Sequence, residues 1–274
     1  MIKDILLHVD PSAAGARRAE IASRLATRFD AHLTGMHVDA VDEEVLFYYG
    51  EMVTTAIAAL REQSVADNRR AQEIFFRATE GANFSYEWRS VKGAVATAIA
   101  AQGRCADLVI LGQGTATGTR QVSDRVPMLT GRPTLIIPSH EMPGTSLGQR
   151  IAIAWDGGRE AARAVHDALP LLDTAEAVFI LSISSDGRSD DATHGPGPAE
   201  LATHLDRHGI RTQILERPRA GQPIAGVLQA AMAEVSADLL VMGFYGHSRM
   251  SELILGGVTR DILNTTEVAV FGSH

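Results

Sequence analysis

Residues 107–112 read DLVILG and residues 238–243 read DLLVMG. Each is an apolar run too short for a helix, opened by Asp and closed by Gly, the pattern of a parallel strand buried on both faces. A second pair of anchors precedes them: residues 5–10 read ILLHVD and residues 151–156 read IAIAWD. Both runs end in Asp and lead into turn formers, Pro11-Ser12 in one case and Gly157-Gly158 in the other. The chain therefore carries two copies of one unit, and these anchors are strands one and four of each copy.

The segments between the anchors repeat as well. Ala19, Ala22, Leu25, Ala26 and Phe29 recur at three- and four-residue spacing, which predicts a helix over 14–29, and the pattern returns over 159–172. Strands are expected at 32–38 (HLTGMHV) and 177–183 (AVFILSI), and helices at 95–102 and 223–235 lead into the two DL anchors. A last strand is expected within RPTLIIPSHEMP (132–143) and within TEVAVF (266–271). Strand and helix in alternation predict an α/β fold with parallel sheets, right-handed crossovers and helices on both faces. The expected organisation is two tandem open, twisted parallel-sheet domains of Rossmann-like type, 1–143 and 148–274, a length that suits 274 residues.

Composition narrows the classes of function. The net charge is −8 and the basic residues are scattered among acidic ones, which argues against a long polyanion as partner. The opening MIKDILLHVD lacks a basic stretch followed by an extended apolar core, so a cytoplasmic location is expected, without membrane or nucleic acid. Cys105 is the single cysteine, unable to form an internal disulfide, and is expected as a small buried apolar residue. Of ten histidines, only His204 and His208 come near ligand spacing, in a polar stretch before Gly209; no metal site is expected.

The halves differ in two places. Residues 43–80 form a long, charge-rich helical stretch in the first half, where the second has SSDGRSDDATHGPGPAELATHLDRHG, a loop followed by a short helix from Ala199. After strand four the second half continues FYGHSRMSELILGGVTRDIL and the first QGTATGTRQVSDRVPMLTGR. In the second half Gly243 and Gly246 bracket a turn directly after a strand, and Gly256, Gly257, Val258 and Thr259 follow at a helix start. Such a loop suits phosphate, because glycine lets backbone N–H groups approach an anion and the free amides of a helix start add partial positive charge. His247, Ser248 and Thr259 add side-chain donors, and Arg249 adds charge or is a solvated surface residue. The position past the carboxyl end of a central parallel strand is where open α/β sheets bind ligands. The same glycines also serve a tight turn and close helix packing with no ligand, and Asp10 and Asp156 also serve as caps of the helices that follow them.

The spacing G-x2-G-x9-G after DLLVM resembles the ATP-binding motif of universal stress proteins. The likeness extends over the chain to Asp10 and Asp156 at the ends of the first strands, to the ends of the second strands at 36–38 and 181–183, and to the tandem arrangement. It implies the adenine-nucleotide alpha hydrolase-like version of the Rossmann-like fold. It also implies that Gly243, Gly246, Gly256 and Gly257 line phosphates and ribose, with Val258 and Thr259 opening the next helix. Asp156 with Ala154, and Ile183, would stand near the nucleotide and its adenine. The family motif places Ser or Thr after the third glycine; this chain has Gly257 there, with Ser248 and Thr259 as candidate replacements. In the first half Gly112, Gly114 and Gly118 have other spacing and no GGVT follows, so its site is expected to be lost.

The implied function is a stress-response or regulatory protein that binds ATP, with or without Mg2+, or a related adenine nucleotide and responds by a change of conformation or association. A ligand-free interaction protein of the same fold and a slow ATPase using Asp156 and Mg2+ are the alternatives. No SGGxDS, HxGH, GxSxG or GxxxxGK[ST] motif is present, so no catalytic residue is named. Last-strand pairing in the family implies an intrachain pseudo-dimer through TLIIP and VAVFG. Leu46, Phe47, Tyr48, Tyr49, Phe75 and Phe76 either cover the sheet or offer a homodimer surface.

Overall fold

The computed structural model describes residues 1–40, 54–114, 117–141, 147–184, 195–246 and 257–274. They cluster into two compact units, Met1–Arg132 and Pro133–His274. The first unit runs β1 (Asp4–His8), α1 (Ala13–Phe29), β2 (His32–Asp39), α2 (Thr54–Ala78), β3 (Tyr86–Lys92), α3 (Val95–Gly103), β4 (Leu108–Gly112) and α4 (Thr117–Thr130). The second runs β5 (Thr134–Ile137), β6 (Arg150–Ala154), α5 (Arg159–Leu172), β7 (Ala177–Ser184), α6 (Pro198–Arg207), β8 (Thr212–Pro218), α7 (Ile224–Glu234), β9 (Leu239–Gly243), α8 (Gly257–Thr265) and β10 (Ala269–Ser273).

Within the first unit the strand order is β3-β2-β1-β4, every pair parallel. Within the second it is β10-β9-β6-β7-β8, again parallel throughout, and β5 adds to β10 in antiparallel sense with Ile136 opposite Val270. The α/β reading is thus correct, and the four anchors are the central strands. Their registers match: Leu7 lies opposite Ile110 in the first unit and Ile153 opposite Val241 in the second. Every residue from Leu108 to Leu111 and from Leu239 to Met242 is buried, as a strand covered on both faces requires.

The Asp that opens each DL anchor ties strand four to strand one. Asp107 accepts the amide N–H of Lys3 at 2.7 Å and of Asp4 at 3.1 Å. Asp238 accepts those of Gly148, Gln149 and Arg150 at 2.9, 2.9 and 3.3 Å. These amides start strands and would otherwise lack partners, and a carboxylate acceptor makes the strong kind of hydrogen bond.

Two strands, β3 (YEWRSVK) and β8 (TQILERP), escaped the sequence reading. Both lie at sheet edges, where charge and exposure break the alternation that marks a half-buried strand; their residues are mostly exposed or half-buried. The aromatics at the end of the predicted insertion divide. Phe75 is fully buried, its ring 5.5 Å from Trp88 and resting on Gly35 of β2, whereas Phe76 is 44% exposed. Leu46, Phe47, Tyr48 and Tyr49 lie outside the described residues.

Two expectations are corrected. Cys105 is exposed, because it falls in the turn between α3 and β4 where Ala106 is the residue turned inward. Asp10 and Asp156 do not cap helices. Ser12 caps α1, accepting from the N–H of Gly15, and Gly158 caps α5 without a side-chain bond. The two aspartates act one step earlier, ordering the turn: Asp10 accepts from the N–H of Ser12 at 3.0 Å and Asp156 from that of Gly158 at 2.8 Å.

The Phe75 ring occupies the space a side chain at Gly35 would need. Gly35→Ala is expected to destabilise the protein by about 1–3 kcal/mol through overpacking, read as a lowered midpoint in urea unfolding; an unchanged midpoint would show that the contact yields freely.

Candidate functional site

In the second unit β6 and β9 are neighbours, yet the chain leaves β6 toward β7 on one side and reaches β10 from β9 on the other. This divergence opens a crevice past the strand ends, the usual ligand position of an open parallel sheet. The register extends two residues beyond Ile153 and Val241 to place Trp155 level with Gly243. Ala154, Asp156 and Gly243 are thereby brought to one edge. Ile183 joins them from β7, whose Leu181 pairs with Ala154 and accepts the N–H of Trp155 at 2.9 Å.

The turn after β9 is shaped by packing on both sides. A Cβ on Gly243 would stand 2.5 Å from the amide N of Ala161 and 2.8 Å from the Cβ of Glu160, so glycine alone lets the first turn of α5 pass. Phe244 is fully buried against Gly272, its N–H donating to Ser273 O at 2.9 Å and its carbonyl meeting His274 Nδ1 at 2.9 Å. Tyr245 then takes φ +57°, a left-handed conformation uncommon for a non-glycine residue. Its N–H donates to the Thr259 hydroxyl at 3.2 Å.

That bond joins the glycine turn to the first residues of α8, with Gly257 exposed, Val258 half-buried and Thr259 buried. Thr259, expected from the sequence as a donor to phosphate, has its hydroxyl oxygen engaged in holding the turn. His247, Ser248, Arg249 and Gly256 lie outside the described residues. Asp156 is exposed at the crevice, one carboxylate oxygen committed to Gly158.

One further residue that the motif does not contain reaches the turn. Glu160, buried at 8% exposure, aims Oε2 at Gly246, where a Cβ would stand 3.1 Å from it. Its Oε1 accepts from Arg159 Nε at 3.1 Å and Nη2 at 2.6 Å. Burial pushes this carboxyl up, but the hydrogen bonds from Arg159 and from the backbone, with the charges of Arg159 and His274, outweigh burial and hold it below the usual carboxylate range. Glu160 lies four residues past Asp156, and only the pairing of β6 with β9 brings it under the loop.

A cavity of about 260 Å³ is lined by Trp155, Val165, His166, Pro196, Leu201 and His204, none of them in the glycine turn. Trp155 donates its indole N–H to Pro196 O at 2.9 Å across it. The His204 and His208 rings stand edge to face at 4.8 Å between centroids. Among the described residues no group of three or more His, Cys, Asp or Glu is placed to hold a metal ion.

The matching crevice of the first unit is built differently. Registers and helix starts place His8, Asp10, Ala14, Arg18 and Gly112 where the second unit has Ala154, Asp156, Glu160, Ala164 and Gly243. Arg18, 2% exposed, fills the space over Gly112, donates from Nε to His8 O at 2.9 Å and pairs with Asp10. Burial raises the Asp10 carboxyl, but Arg18 and the Ser12 hydroxyl more than offset that and bring it down to about 2. Burial, helped by Arg18, lowers the His8 imidazole to about 3.

Comparison with known proteins agrees with this architecture. Residues 148–271 match the model of the universal stress protein family. No curated protein matches the sequence. Among solved structures, a universal stress protein from Archaeoglobus fulgidus is similar at 19% identity and TM-score 0.73, covering 97% of this chain and 96% of that one. A putative universal stress protein from Pseudomonas aeruginosa is similar at 15% identity and TM-score 0.62, covering 98% and 92%. At these identities the likeness establishes the fold.

Both shifted groups in the first unit make the protein acid-labile. His8 is neutral when folded and takes up a proton when unfolded, so its contribution is lost as pH falls from about 6.5 toward 3. Asp10 is ionised when folded, so its contribution is lost between about 3.8 and 2. Denaturation midpoints measured from pH 7 to pH 4 are expected to fall, and His8→Gln is expected to flatten the upper part of that decline; parallel profiles would remove His8 as the cause.

Proposed function

We propose that this chain, whose residues 148–271 belong to the universal stress protein family, binds an adenine nucleotide such as ATP in its second unit. Occupancy then governs a change of conformation or association. One observation supports the reading above others: the Gly243–Gly246 turn lies past β9 at the crevice and is tied through Tyr245 N–H and Thr259 to the start of α8. The free amides at the start of α8, on one wall, are donors of the kind a sugar or phosphate needs. Ala154 and Ile183 supply a small and an apolar side chain at the neighbouring strand ends, suited to the edge of a flat base. Asp156 stands at the same edge as an acceptor for ribose hydroxyls, or as a carboxylate for Mg2+ when phosphates bring it.

The first unit takes no nucleotide in this reading, because the guanidinium of Arg18 fills its crevice and Asp10 is committed to that ion pair. Among the described residues no helix is long and apolar enough to cross a membrane.

The test is direct. The purified full-length protein, unfolded and extracted, is expected to release adenine nucleotide, and calorimetry to show affinity for ATP or a related adenine nucleotide below millimolar. Gly246→Trp, which places an indole beside Glu160, is expected to abolish retention while circular dichroism and the unfolding midpoint stay close to wild type. No released nucleotide together with no sub-millimolar affinity would leave the fold a ligand-free interaction module.

A further inference from the structure

The glycine turn of the second unit is not a purely cationic cradle, because a carboxylate is built into it. Glu160 is placed by two constraints. The start of α5 presses against Gly243, leaving 2.5–2.8 Å between a Cβ there and the backbone of residues 160 and 161 or the Glu160 Cβ. The side chain then runs to Gly246, its Oε2 directed at the turn, while Oε1 is occupied by Arg159. The carboxylate is 10% exposed and its counter-ion Arg159 is 85% exposed. Water therefore screens the positive partner far more than the negative one. The start of α8 offers roughly half a positive charge, whereas Glu160 brings a full negative charge up to Gly246.

We infer that Glu160 sets the charge of the ligand, so that the second unit takes adenosine or an adenosine monophosphate in preference to ATP. This rests on the adenine-nucleotide reading above and narrows it. The hydrogen bonds from Arg159 go to Oε1, so Oε2 at Gly246 keeps acceptor capacity for the O–H of a ribose hydroxyl. A polyphosphate supplies only acceptors carrying like charge, which a nearby fixed carboxylate disfavours. The first unit has Ala14 at the corresponding position and holds a cation in its crevice, so the charge of this wall is a property of the second unit alone.

Calorimetry on the full chain with adenosine, AMP and ATP, each with EDTA and with Mg2+, tests this. Wild type is expected to bind AMP at least about 10-fold more tightly than ATP, and Glu160→Gln to bring the two within about 3-fold. A tenfold change corresponds to about 1.4 kcal/mol. Glu160→Asp, which keeps the charge and the helix turn but draws the carboxylate back by one methylene, is expected to narrow the ratio part of the way. Raising salt on wild type is expected to narrow it as well, and this needs no variant.

Equal wild-type affinity for AMP and ATP, a ratio unchanged in Glu160→Gln, or loss of Mg-ATP binding in that variant would overturn the charge role while leaving adenine binding standing. Failure of wild type to bind any of the three ligands would remove both readings together.

Discussion

In each unit the strand that ends in glycine lies beside the first strand, and the first helix must cross directly over that end. At Gly243 no Cβ fits beneath the backbone of that helix, whereas at Gly112 a Cβ would meet the flexible guanidinium of Arg18. What fills the remaining space decides the character of each crevice. Over Gly112 it is the guanidinium of Arg18; over Gly243 it is the backbone of α5, with the Glu160 side chain passing on to Gly246. The same strand end thus meets an internally neutralised ion pair in one unit and a helix backbone with a carboxylate in the other.

The ion-paired end is costly to assemble and correspondingly specific. A guanidinium at 2% exposure has left water, and only its pairing with Asp10 and the His8 carbonyl makes that tolerable. His8 beside it stays neutral, since burial disfavours its charged form and the nearby Arg18 repels a second cation. In the second unit Ala154 and Ala164 stand in place of His8 and Arg18, so neither large side chain is present there. Two copies of one fold therefore differ at the same strand ends, through substitutions at few positions.

The end after β9 is held by main-chain bonds more than by charged pairs. Phe244 buries its ring against Gly272 and bonds to Ser273 and His274, fixing the direction in which the chain leaves β9. Tyr245 is then turned into a left-handed conformation, and its N–H finds Thr259. That bond links the start of α8 to the turn. This is the kind of coupling by which occupancy of a crevice can be read elsewhere in a domain.

The sequence by itself determined the tandem α/β fold, the central strands, most helices and the strand-end aspartates and glycines. Buried parallel strands are continuous apolar runs whatever surrounds them, and tight turns need glycine for local reasons. Edge strands β3 and β8 were not legible, since exposure removes the apolar pattern that marks a strand. Nor was the exposure of Cys105, which depends on where α3 stops. The roles of Arg18, Glu160 and His274 were decided only by the tertiary structure. They lie on helices or past a strand end, remote in sequence from the strand ends and turns they touch, and their chemistry at the site arises from strand pairing. Spacing in the chain records which backbone shapes are allowed; which charge ends up beside a glycine is set by the sheet that brings distant segments together.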